Sequence, residues 1–207
     1  MNNMCKHGQP SNIAFFDSLA LKWDDFHDLK ALALQIDAGL ECFGIKSDEH
    51  ILDVGCGTGN LTAALLRRLS SDGKITAVDL SLVMIEKAKS KISDSRVNWI
   101  CSQINKFNVV PESFDRIICY SVWPHLENKE ESLLLFKKWL KPGGMFHIWH
   151  TISREMVNKI HSEASAAVQN HLLAPVSETV QLLEQSGFIV KAKKDDLNGY
   201  LVTAHKA

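Results

Sequence analysis

The stretch DVGCGTG, residues 53–59, marks a change of rhythm in the chain. Before it, HILDV (50–54) is a short apolar run; after it, NLTAALLRRL (60–69) has helical spacing. A strand that ends in a glycine-rich turn and opens a helix begins a βα unit. Gly55, Gly57 and Gly59 let the backbone turn sharply and approach a ligand closely. Taken alone, a G-x-G-x-G run fits a dinucleotide loop or a plain tight turn equally well.

The same rhythm continues downstream. KITAVDL (74–80) reads as a strand and SLVMIEKAKSKI (81–92) as a helix. VNWICS (97–102) and FDRIICYS (114–121) read as strands, KEESLLLFKKWL (129–140) as a helix, KPGG (141–144) as a turn and MFHIWH (145–150) as a strand. Helices follow at 153–170 and over PVSETVQLLEQSG (175–187). FIVKAKKDD (188–196) and GYLVTAHKA (199–207) close the chain as strands. Alternating strands and helices of this length predict an α/β fold with a parallel sheet. LNG (197–199) is too short for a crossover, so the last two strands must pair antiparallel. Upstream, residues 13–44 are helical in pattern. Leu19, Trp23 and Phe26 share a face, and Leu29, Leu32 and Ile36 follow at three- and four-residue steps. Residues 1–12 are polar and read as an unstructured start.

Composition narrows the function classes. The 207 residues are 45% hydrophobic and 23% charged, which suits one globular domain with a small appendage. The net charge of -1 gives no electrostatic case for nucleic acid or an anionic membrane, so neither is expected as a partner. Cys5, Cys42, Cys56, Cys101 and Cys119 are scattered and form no C-x-x-C pair, which favours a reduced, cytoplasmic setting. The start has no apolar signal core, and no run approaches ~18 apolar residues.

Two acids decide between cofactors. Asp53 stands two residues before the first glycine, where a carboxylate would repel a pyrophosphate but suits a ligand with a positive amino group. Asp79 ends the next strand, where an acid accepts both hydroxyls of a ribose. A ribose, a cationic amine and no phosphate describe S-adenosyl-L-methionine and exclude NAD. The third glycine is also misplaced for the G-x-G-x-x-G of an NAD-dependent oxidoreductase.

At this point the chain resembles the class I S-adenosylmethionine-dependent methyltransferases. It is similar to the small single-domain type of ubiquinone/menaquinone-biosynthesis methyltransferases. The resemblance spans roughly residues 13–207 and rests on ILDVGCGTGNLT, ITAVDLSLVMIEKA, SFDRIICYSVWPHL and WLKPGGMFHI. It implies a Rossmann-like, seven-stranded, mostly parallel sheet with helices on both faces and an antiparallel C-terminal strand. It implies a helical lid over residues 1–44 and the methyltransferase domain over residues 45–207. It places the backbone of Gly55, Cys56, Gly57 and Gly59 against the methionine part of the cofactor, with Asp53 beneath it. Asp79 would hold the ribose, Leu80 would pack on the adenine, and residues 102–104, with Gln103 and Ile104, would flank its edge. Many relatives carry Asp where this chain has Gln103, whose amide still accepts a hydrogen bond, without charge assistance. Cys119 would lie near the transferred methyl.

Histidines mark the acceptor side. Side chains alternate along a strand, so in MFHIWH His147 sits mid-strand as a packed, hydrogen-bonded residue. His150 ends the strand, at the carboxyl edge where open α/β sheets bind ligands. Ser153 is a plausible N-cap for the helix that follows. At ~100° per residue, Arg154, Asn158, His161 and Ser165 share one arc of that helix. Those residue types suit recognition better than mere solvation. His125 follows the neighbouring strand, and His27 comes from the N-terminal region. The histidines suit three roles: general base, metal ligand or substrate recognition. No pair has the spacing of a known zinc motif, so no metal is assigned, although imidazoles would accept a divalent ion.

The reading is a methyltransferase acting on a small acceptor. His150, with His125 and His161, orients or deprotonates the acceptor, and Arg154 neutralises an anionic part of it. Two alternatives stay open: a non-catalytic S-adenosylmethionine-binding sensor or partner subunit, and a methyltransferase with a metal-bound or metalloid acceptor. Oligomeric state is not legible.

Overall fold

A computed structural model describes residues 10–207. The expected unstructured start lies outside these residues as far as residue 9; from Pro10 the chain is already helical. The chain divides into two compact units, the first ending at Lys106 and the second running Phe107–Ala207.

In the first unit, α1 (Pro10–Leu19) and α2 (Leu29–Glu41) precede the α/β part. A 3-10 turn, Trp23–Phe26, separates them. The break follows from Asp28, which caps α2 by accepting the backbone N–H groups of Lys30 and Ala31. The strands are β1 (His50–Val54), β2 (Lys74–Asp79) and β3 (Val97–Cys101), with α3 (Asn60–Leu66) and α4 (Leu82–Lys91) between them. β1 pairs with β2 and β2 with β3, both in parallel. Ile51, Leu52, Ile75 and Ala77 are fully buried, as parallel strands covered on both faces require.

The second unit carries β4 (Phe114–Tyr120), α5 (Lys129–Trp139), β5 (Leu140–His150), α6 (Arg154–Glu163), α7 (Val176–Gln185), β6 (Phe188–Asp196) and β7 (Gly199–Lys206). β4 and β5 are parallel; β7 runs antiparallel to both β5 and β6. Strand order in the sheet is β3-β2-β1-β4-β5-β7-β6, the seven-stranded, mostly parallel arrangement with an antiparallel end. Phe146 anchors the core of this unit, its ring 5.3 Å from Phe136 and 5.5 Å from Phe188.

Two local expectations change. KPGG is not a turn outside the sheet: β5 begins at Leu140 and takes the glycines in as an irregularity, with a register shift opposite Phe114 and Arg116. The helix expected over 153–170 stops at Glu163. Asn158 pulls the following chain back, donating to the Leu173 carbonyl and accepting the Leu173 N–H.

Candidate active site

Asp79 organises the glycine loop of the first unit. Its Oδ2 accepts the Gly57 N–H at 2.8 Å and its Oδ1 the Ser81 N–H at 2.9 Å. Gly55 and Cys56 both donate to the carbonyl of Val78, one strand away, which hooks the loop onto β2. Gly55, Gly57 and Gly59 all have positive φ, the region that favours glycine. The last two differ in surroundings. A Cβ on Gly59 would lie 3.0 Å from Ile92 and 3.2 Å from Ala88, whereas one on Gly57 would meet none of the described residues within 4 Å. Gly59 is needed for packing, and Gly57 leaves a face open.

Asp53 is buried at the end of β1, and its Oδ2 accepts the Thr62 hydroxyl at 2.6 Å. Burial, with a contribution from the Asp79 charge, pushes its carboxyl up to about 7. Burial also raises Asp79, against the backbone N–H groups of Ser81, Gly57 and Leu80. Among the described residues neither acid has a cationic side-chain partner. Burial, and next the charges of Asp79 and Asp53, keep the Cys56 thiol protonated.

The N-terminal segment is fastened to this loop. Asp24 accepts the Thr58 hydroxyl at 2.6 Å and the Lys91 ammonium at 2.8 Å. Asp17 accepts the hydroxyl of Ser81, the N-cap of α4. His27 packs edge-on against Trp23 in the same segment. The Ser102 N–H returns to the Asp79 carbonyl, placing Gln103 and Ile104 just beyond β3.

In the second unit, β4 ends at Tyr120, and the next residue, Ser121, has φ 54. A non-glycine residue held there is the kind of strain that collects at functional sites. The 3-10 turn Trp123–His125 follows. The His125 ring centroid lies 4.7 Å from that of His161 and 5.2 Å from that of His171. Nδ1 of His125 is 2.9 Å from Nδ1 of His171, and Nδ1 of His161 is 2.5 Å from the His171 carbonyl. His150 is buried, and its Nε2 has no hydrogen-bond partner among the described residues. Burial first, and the charge of His161 next, push His150 down to about 3. His125 falls to about 3 for the same leading reason, with His161, His171, His150 and Lys129 adding repulsion.

The remaining expected residues sort clearly. His147 bonds to Arg116 and Thr203 inside the core, the packed histidine the strand pattern predicts. Cys119 is buried in β4. Arg154 is held by Asp195 at 3.0 Å and by Glu155 at 2.6 Å, so its charge is met within the chain. The helix face of Arg154, Asn158 and His161 therefore serves mainly to hold neighbouring segments in place. His171 is the residue that sequence reading missed. Its only local signal was a further histidine in a stretch assigned past the helix, and the Asn158 tether that brings it back has no sequence signature. Among the described residues, no group of three His, Cys, Asp or Glu side chains is arranged to hold a metal.

Comparison with known proteins points to methyltransferases. A family model described as a methyltransferase domain matches residues 51–144. The malonyl-[acyl-carrier protein] O-methyltransferase of Priestia megaterium is 32% identical over 74% of this chain and 56% of its own length. These matches support a class I S-adenosylmethionine-dependent methyltransferase. A second relative, the ubiquinone/menaquinone biosynthesis C-methyltransferase UbiE of Psychromonas ingrahamii, is 26% identical over 83% of this chain and 73% of its own. The chain thus spans little more than half the length of the first methyltransferase and about three quarters of the second. The crystal structure of a SAM-dependent methyltransferase from Aquifex aeolicus has the same fold. Its TM-score is 0.75 at 22% identity, covering 92% of this chain and 98% of that one. The cofactor of this methyltransferase family is S-adenosyl-L-methionine.

Proposed function

We propose that the protein transfers a methyl group from S-adenosyl-L-methionine to a small acceptor. The observation that carries this reading is Asp79, pinned at the end of β2 by two backbone N–H groups. A carboxylate has acceptor capacity beyond those two bonds, which suits a pair of ribose hydroxyls. The open face at Gly57 and the acids Asp53 and Asp79, which have no cationic side-chain partner among the described residues, suit a ligand that brings positive charge and needs close backbone approach. The residues present therefore fit the cofactor.

When bound, S-adenosyl-L-methionine supplies a methyl carbon activated by the neighbouring sulfonium. The chain's own residues bind and orient. Gly55, Cys56, Gly57 and Gly59 offer backbone, Asp53 offers charge below them, and Leu80, Gln103 and Ile104 flank the adenine. Cys119 remains the family-implied neighbour of the methyl. Of the expected lid, the described residues 10–44 are fastened through Asp24 and Asp17. On the acceptor side, the buried Nε2 of His150, without a partner among the described residues, gains from a ligand hydrogen bond. His125 and His161 complete that side. Arg154 acts by holding Asp195 and not by meeting an anionic acceptor group.

The test is transfer of a labelled methyl group from S-adenosyl-L-methionine into the small-molecule fraction of a cell extract. Label should appear with the wild-type protein and disappear with Asp79→Ala. No transfer above background by a folded wild-type protein that binds the cofactor would leave a binding protein and overturn the catalytic reading.

A further inference from the structure

The histidine cluster of the second unit holds an arrangement that simple recognition does not need. His125 and His171 face each other through Nδ1 atoms 2.9 Å apart. Two such nitrogens bond only when one carries a proton and the other a lone pair. The two rings are therefore complementary tautomers: whichever has hydrogen on Nδ1 has its lone pair on Nε2. The carbonyl of His171 can only accept, so Nδ1 of His161 carries a proton toward it. His161 and the Asn158 amide, both on α6, together pin residues 171–173. The helix thus builds the position of His171.

We propose that His125 and His171 form a proton relay that carries the acceptor's proton to solvent. This rests on the methyl-transfer reading above and narrows the acceptor to a nucleophile that loses an O–H or N–H proton. The acceptor–H bond breaks as hydrogen bonds to Nε2 of His125, and the electron pair stays on the acceptor. Nδ1–H of His125 breaks as Nδ1–H of His171 forms. Nε2–H of His171, a half-buried residue, gives its proton to water. Each ring ends neutral with its tautomer exchanged.

The surroundings explain why a relay is required. His161, His150, His171 and Lys129 all disfavour added positive charge on His125. His161 and Lys129 do the same at His171, where Glu127 alone works the other way. An ordinary general base stores the proton it takes. A ring in this cluster cannot store it and must pass it on.

The experiment is long-range proton–nitrogen NMR of the full chain with ¹⁵N-labelled histidine, between pH 6 and 8. A relay makes both tautomer combinations accessible, so His125 and His171 should show complementary, averaged nitrogen shifts, with neither ring an imidazolium. His171→Asn, whose amide N–H replaces Nδ1, should lock His125 into one tautomer; His171→Ala should remove the complementary pattern. A single fixed tautomer at either ring in the wild type would overturn the proposal, as would an imidazolium at pH 7. Loss of the pair on adding stoichiometric Zn²⁺, with zinc held by both rings, would also overturn it. S-adenosylhomocysteine binding, followed in parallel, should stay within about twofold of wild type in both variants. Failure of the wild type to bind it would overturn the methyl-transfer reading and leave the proton-sharing pair standing on its spectrum.

Discussion

Asp79 and Gly57 are joined by a 2.8 Å hydrogen bond from the loop backbone to the carboxylate, which ties the ligand-facing turn to the end of its neighbouring strand. Two of the three glycines of that turn, Gly57 and Gly59, are expected to fail differently. Gly59→Ala drives a methyl against Ile92, Ala88 and Trp99 at positive φ, and should cost about 1–3 kcal/mol in chemical denaturation. Gly57→Ala meets no atom of the described residues and should cost only about 1–2 kcal/mol for its backbone, while weakening cofactor binding disproportionately. Equal losses of stability and of binding in the two variants would show that the open face at Gly57 is not a ligand surface.

Asp53 should make the ligand-free protein less stable as pH rises. Its folded carboxyl titrates at about 7, above an unfolded value near 3.8. Between those values the folded state holds the extra proton, so stability falls from pH 4 to pH 7. Asp53→Asn keeps an acceptor for the Thr62 hydroxyl and should raise the midpoint of thermal unfolding at pH 7.5, with little gain at pH 4. A variant less stable than wild type at both pH values would contradict this.

His150 predicts the opposite slope at lower pH. Its ring is neutral in the fold down to about pH 3, whereas in the unfolded chain it charges near 6.5. Stability present above pH 6.5 is lost as pH falls toward 3. At pH 5 the loss from this one group should be roughly 2 kcal/mol. Comparing His150→Phe with wild type at pH 7.5 and pH 5 reads it directly: the wild type should lose more on acidification.

The Asp24 latch should couple the N-terminal segment to the glycine loop. Asp24→Ala removes both the Thr58 and Lys91 bonds. Proteolysis near Trp23 should then speed up several-fold, and added S-adenosylhomocysteine should slow it less than in wild type. Unchanged cleavage would mean that the aromatic contacts of Trp23 with Phe16 and Phe26 hold the segment without the acid.

Much of the fold was legible because its signals are local. Strand periodicity, the glycines and the short LNG link each act over a few residues, and the strands fall where those patterns put them except at the start of β5, which takes in the expected KPGG turn. Asp79 was legible for the same reason, as an acid ending a strand. The histidine side was harder, because its geometry depends on tertiary tethers. Arg154 read as a free recognition group until Asp195, forty-one positions on, met its charge. The Asn158–Leu173 pair ends α6 early and carries His171 to His125, a contact across forty-six positions that no periodicity encodes.

The most direct measurement is calorimetric titration of S-adenosylhomocysteine into the wild-type protein and into Asp79→Ala, with NAD as the control ligand. Saturable one-to-one binding by the wild type, weakened at least tenfold (about 1.4 kcal/mol) in the folded variant, is expected, with no binding of NAD. Equal affinity in the two proteins, or tighter binding of NAD, would contradict the assignment of the Asp79 cradle to S-adenosyl-L-methionine.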